Sequence, residues 1–163
     1  MDIKTLFNAA PALMSDWQRS ASALAKGASL EASLNRLVEI RASQINGCAN
    51  CLNLHVADAR EHGETNQRLD LLAAWREAPC YSEREHAALR WTEALTRLSE
   101  NVDLADAYDE LAERFTLEEQ VKLTLMINAI NGWNRIAVGF HAFASPQDIK
   151  AANAALSQAQ AAA

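Results

Sequence analysis

Two short signatures constrain this chain more than anything else in it. Ser82-Glu-Arg-Glu85 and Thr116-Leu-Glu-Glu119 each set a hydroxyl three residues ahead of a glutamate. This is the capping-box pattern: the hydroxyl accepts from the third helical amide while the carboxylate reaches back to the cap amide. Behind the first box, Ala87, Ala88, Trp91, Ala94, Leu95 and Leu98 form one apolar stripe at helical spacing. Behind the second, a long helix is expected through Ile127 and Ile130 toward Phe143, with Pro146 as its stop. Only three prolines and five glycines interrupt 163 residues, and alanine supplies much of the 50% hydrophobic share. Such a composition favours helix. The expectation is an all-α helical bundle in a single domain.

The remaining elements follow from the same signals. A first helix is expected over Ala12 to Ala25, ended by Gly27, and a second from near Ser29 carrying Leu30, Leu34, Leu37, Val38 and Ile45. Asn46-Gly47 marks a turn. A helix restarts at Cys48 and runs to His62, with Gly63 in the usual place for a left-handed cap. Thr65 to Trp75 reads as a short helix halted before Pro79, and Asp103 to Phe115 as another. Residues 1–28 then hold an N-terminal helix and 146–163 a C-terminal helix or tail that frays.

The net charge is −6, and no run of Lys and Arg offers a phosphate-binding surface, which argues against nucleic acid. The N-terminus MDIKTLFNAAPALMSDWQ lacks the apolar run and cleavage site of a secretory signal, and no stretch approaches a membrane span of about 20 apolar residues. The expectation is a cytoplasmic protein without a membrane partner. Three cysteines do not make a secreted disulfide framework, and in the cytosol a close pair is more often catalytic or metal-binding.

That pair lies in Ile45-Asn-Gly-Cys-Ala-Asn-Cys-Leu-Asn-Leu-His55. On a helix beginning near Cys48, Cys51 is one turn on and His55 one turn further, so all three share a face. Two cysteines so spaced on a first turn can close a disulfide. A helix N-terminus favours thiolate over thiol, and His55 can hold a proton taken from Cys51. A thiolate attacks peroxide to give a sulfenic acid, which a neighbouring thiol resolves as a disulfide. Nearness to the helix start would make Cys48 the attacker; the i,i+4 relation to His55 favours Cys51. A structural zinc site would need a fourth ligand from His62, His86, His141 or an acid. Haem attachment is excluded, because Leu52 stands where a histidine would follow the second cysteine.

These residues resemble the alkylhydroperoxidase D-like branch of the carboxymuconolactone decarboxylase superfamily. The resemblance rests on RASQINGCANCLNLHVADAREHGET, LLAAWREAP, SEREHAALRWTEALTRL and FTLEEQVKLTLMINAINGWNRIAV, in that order, over about residues 29–140. It implies an all-α homo-oligomer, commonly a trimer or hexamer, with antioxidant peroxidase activity. A relay would join a glutamate, the cysteines and a histidine. By that pattern Cys51 is peroxidatic, Cys48 resolves and His55 is the relay histidine. The superfamily's decarboxylases lack the cysteine pair, so a lyase is the weaker reading; a redox-responsive sensor or binding protein using the same disulfide is another rival.

One position departs from the pattern. The relay glutamate usually lies twelve residues before the first cysteine, where this chain has Arg36; Glu39 lies one turn closer. Glu39 is the candidate replacement, with Glu85 second and more simply a capping residue. Arg36 and Glu39 are expected to pair at i,i+3. No glycine-rich nucleotide fingerprint occurs, so no cofactor is expected. Electrons would come from an external dithiol or thioredoxin-like donor, and the substrate would be a small-molecule hydroperoxide. Cys80 reads as a structural thiol, His62 as a partner of free helix-end carbonyls, His86 as solvated, His141 as packed near Phe140 and Phe143, and Leu71, Leu72 and Trp75 as core. Asn131, Trp133, Asn134 and Arg135 are expected to bond other helices or a neighbouring subunit, since buried amides need partners.

Overall fold

A computed structural model describes residues 1–27, 30–100 and 103–144. Among these residues, in chain order, are eight helices: α1 (Ile3–Ala9), α2 (Pro11–Gly27), α3 (Ala32–Ile45), α4 (Ala49–Glu61), α5 (Asn66–Leu71), α6 (Glu83–Thr96), α7 (Leu104–Arg114) and α8 (Leu117–Gly139). Single 3-10 turns follow α5 and α6. The fold is all-α, and the one β-like contact among the described residues is an isolated bridge between Asp2 and Phe143. None of the described helices is long and apolar enough to cross a membrane.

Both capping boxes form, Ser82 with Glu85 and Thr116 with Glu119. They fix where α6 and α8 begin. α3 is the hub, packing against α4, α6 and α8. It feeds three core clusters: Leu34 and Val38 meet α6–α8, Leu37 and Ile40 meet α4 to α6, and Ala42 meets the cysteines. Burying a Leu or Ile side chain contributes about 1.5–3 kcal/mol. This makes α3 the rigid element on which the site is mounted.

Several sequence expectations need correction. The N-terminal region is two helices, not one. α1 was missed because seven residues carry too little periodicity, although Asp2 caps it by accepting from the Lys4 amide at 3.0 Å. α2 includes Gly27, and α3 begins after Leu30, which is buried but not helical. Ser29, Pro146 and the tail lie outside the described residues. α8 ends at Gly139 rather than near Phe143, because the amides of His141 and Ala142 turn back onto the carbonyls of Val138 and Ala137. His141 takes the left-handed seat of that turn at φ +48°, a place usually filled by glycine. Its side chain, with Phe140 and Phe143, is therefore exposed rather than packed. Leu98 falls beyond the end of α6 and is exposed, and Leu71 points outward, while Leu72 and Trp75 are buried as expected. His86 is half-buried, set edge-on to Trp75 and Tyr81 rather than solvated.

Candidate functional site

α3 and α4 close with the same hydrogen-bonded turn, and the first of these places the cysteines. The Gly47 amide donates to Gln44 and the Cys48 amide to Ser43, with Gly47 at φ +65°. That left-handed residue reverses the chain tightly, so Cys48 becomes the N-cap of α4. Asn46 holds the corner. Its Nδ2 lies 2.9 Å from the Ala42 carbonyl and 2.8 Å from both Asn131 Oδ1 and Asn134 Oδ1 on α8. Asn131 also donates to Thr96, and Asn134 to Ser43. The buried amides of α8 thus find their partners on α3, α6 and the turn within this chain.

Cys48 and Cys51 form a disulfide, with Cα atoms 5.3 Å apart. Both are buried, at 1% and 3% exposure, beside Ala42, Ile130, Ala137 and Trp133. The Cys51 amide donates to Cys48 Sγ at 3.2 Å, so the sulfur occupies the position of a capping oxygen. A thiolate there would sit in the positive field of the α4 N-terminus. Trp133 is covered by Phe7 of α1 and Trp17 of α2, at ring-centroid distances of 6.4 and 5.9 Å. Gly132 allows this approach: a Cβ there would lie 2.6 Å from the Trp17 ring. The N-terminal helices therefore roof the disulfide.

A cleft of about 210 Å³ opens beside the pair, walled by Gly47, Cys48, Ala49, Ala137, Val138 and Phe143, with Asn50 and His141 as its polar members. Cys48 borders it and Cys51 does not. Asn50, between the two cysteines, accepts from the Ala144 amide at 2.7 Å, and Asn53 donates to the Ala144 carbonyl at 3.3 Å. These bonds lash the segment after α8 onto the cysteine helix.

One turn beyond Cys51, His55 Nδ1 lies 3.1 Å from Glu39 Oε2, both side chains half-buried at 26% and 19%. Burial pulls the His55 imidazolium toward deprotonation. The charge and hydrogen bond of Glu39, and then the charge of Asp58, outweigh it, and the pKa is raised above the ordinary imidazole value. Glu39, the candidate replacement for the relay acid, thus meets the histidine. Arg36 does not pair with Glu39; its Nε donates instead to Asp58 on the neighbouring α4 at 2.7 Å.

Glu85 does not belong to this site. It closes the α6 capping box and pairs with Arg68 at 2.5 Å. His62 caps α4, its Nδ1 2.8 Å from the Asp58 carbonyl oxygen, as expected. Cys80 is a half-buried free thiol. No cluster of three or more metal-ligating side chains occurs among the described residues. Sequence reasoning missed Glu93, a buried carboxylate on α6. Arg41 Nη2 approaches it at 2.6 Å, Trp75 Nε1 donates at 2.7 Å and Arg76 Nη2 at 2.6 Å. The only signal for it was a charge next to the apolar stripe.

The comparisons with known proteins agree with this architecture. Residues 11–94, just over half of the chain, match the model of the carboxymuconolactone decarboxylase family. The chain is 42% identical over 113 residues to the uncharacterized protein YdfG of Bacillus subtilis (strain 168), covering 69% of this chain and 77% of that one. It superposes with a TM-score of 0.80 and 40% identity on a protein of unknown function from Agrobacterium tumefaciens, provisionally assigned to antioxidant defence as AhpD, over 83% of this chain and 92% of that one. The debrominase Bmp8, solved with 2,3,4-tribromopyrrole, shares the fold at a TM-score of 0.74 and 17% identity, over 82% of this chain and 71% of that one. With its helical bundle of the alkylhydroperoxidase D-like type, this chain belongs to the carboxymuconolactone decarboxylase family.

Proposed function

We propose that the protein is a thiol-dependent peroxidase that reduces a small organic hydroperoxide. The observation carrying this reading is a buried Cys48–Cys51 disulfide at a helix N-terminus, with the His55–Glu39 pair one turn away. In the reduced protein Cys51 thiolate attacks the terminal peroxide oxygen. The O–O bond breaks, the alkoxide takes a proton through His55 and leaves as alcohol, and Cys51 becomes a sulfenic acid. The Cys48 thiol then displaces hydroxide, which leaves as water, and the disulfide forms. An external dithiol restores the pair by attacking the Cys48 sulfur and is itself oxidised to a disulfide. Cys51 leaves as the thiolate, favoured by the nearby imidazolium. Glu39 holds the His55 ring and shares its proton.

Two further features support the reading. Cys48 borders the cleft, which suits attack on it by an external thiol, and the i,i+4 relation of Cys51 to His55 suits proton removal from Cys51. Cytoplasmic placement, a homo-oligomer of trimer or hexamer type, and a thioredoxin-like donor belong to the same proposal.

Intact mass and free-thiol counting, before and after one equivalent of an organic hydroperoxide, test it. The expected result is loss of two thiols and of about 2 Da, with sulfenate trapped in Cys48→Ser and not in Cys51→Ser. Trapping only in Cys51→Ser would make Cys48 the attacker. Oxidation no faster than that of an ordinary thiol would overturn the peroxidase reading. A single oxidation without turnover on added dithiol would point to a redox-responsive protein instead.

A further inference from the structure

The face that carries His55 holds a second carboxylate that the relay does not use. Asp58 stands three residues beyond His55 on α4, and side chains at that spacing are neighbours. Its Oδ2 accepts from Arg36 Nε at 2.7 Å, and its Oδ1 lies 3.3 Å from His62 Nδ1. Among the described residues, the charged and titratable groups on this face are Glu39 and Arg36 of α3 and Asp58 and His62 of α4, with Arg36 and His62 both paired to Asp58.

Arg36 occupies the position where the resembling family usually carries its relay glutamate. A guanidinium keeps its proton at any physiological pH, so it cannot relay one. It can fix the orientation of a carboxylate, which is what its contact with Asp58 does. Two acids therefore stand on this face, Glu39 in contact with His55 and Asp58 held by Arg36.

We propose that Asp58, anchored by Arg36 three residues beyond His55 on the same helix, is a positioning residue for His55: its fixed carboxylate helps hold the protonated ring in place. The consequence for peroxide reduction rests on the peroxidase reading above; the effect on His55 does not. Its direction agrees with the Asp58 charge being one of the influences that raise the His55 pKa.

The test is an NMR titration of the His55 imidazole in the disulfide form of wild type, Asp58→Asn and Asp58→Glu. Asp58 is half-exposed, so neither substitution disturbs the core. In Asp58→Asn the His55 pKa is expected to fall by roughly half a unit or more, and Asp58→Glu is expected to recover most of that shift. An unchanged His55 titration in Asp58→Asn would overturn the proposal, as would an equal fall in Asp58→Glu. Because the titration uses no peroxide, a failed peroxidase assay leaves its outcome independent.

Discussion

Glu39 and Arg41 stand two residues apart on α3 and belong to opposite kinds of site. Glu39 faces α4 and meets one titratable partner, His55, with both groups partly open to solvent. Arg41 faces α6 and is locked to Glu93, whose two oxygens take donors from Arg41, Trp75 and Arg76 in a buried setting. Burial pushes the Glu93 carboxyl up, but those three donors hold it below the ordinary carboxylate range. The difference is one of redundancy. A carboxylate with several fixed donors cannot change state without loss of the fold, whereas one paired with a half-open histidine can pass a proton and stay in place.

The largest effect should come from breaking the locked side. Glu93→Gln leaves the Arg41 guanidinium buried without its counter-charge, which typically costs about 3–5 kcal/mol. Urea unfolding should show a loss of that size, while thiol oxidation per folded chain stays as in wild type. A loss below about 1 kcal/mol would mean that the two sides are alike.

The reciprocal change is Glu39→Gln. It should slow peroxide-driven disulfide formation by about 100-fold, the lower end of what a positioned acid–base group contributes, yet alter stability by no more than about 1 kcal/mol. Stopped-flow oxidation and urea unfolding of one preparation measure both. A large stability loss with unchanged rate would reverse the roles assigned to the two carboxylates.

The smallest effect lies in the pH dependence. The folded His55 pKa is raised, so stability from its pairing is fully present below the unfolded value of about 6.5. It is lost as pH rises through the folded pKa. The stability advantage of wild type over His55→Gln should therefore be larger near about pH 6 than near about pH 9. An advantage that grows with pH would refute that pairing. Glu93 runs the other way: its depressed pKa gives stability present above the unfolded carboxyl value and lost as pH falls through the folded one.

What could be read from the chain beforehand divides along similar lines. The boxes at Ser82 and Thr116, the Asn46-Gly47 corner and the alignment of Cys48, Cys51 and His55 involve residues within a few positions of each other. Their hydrogen-bond chemistry is local, so sequence spacing reveals it. Glu39 was reachable only as a candidate, since its meeting with His55 depends on how α3 packs on α4. Glu93 and Arg41 are 52 residues apart, and no periodicity announces that two charges will be buried together. α1 and the left-handed His141 escaped for a related reason. A seven-residue helix and a non-glycine cap both depend on tertiary contacts. Arg36 was assigned to Glu39 by helix spacing alone, and an opposing helix supplied a nearer acid.

The corner at Asn46 has a consequence of its own. Every group that ties it to α3 and α8 is a neutral amide, hydroxyl or carbonyl: Asn46, Asn131, Asn134, Ser43 and the Ala42 backbone. None of these takes up or releases a proton in water at ordinary pH, and none draws a counterion. The corner itself is consequently indifferent to acidity and ionic strength, while the histidine one turn beyond Cys51 responds to both. Shifts of solvent that retune the proton carrier leave the sulfur atoms where they were, so chemistry can be adjusted without moving its geometry.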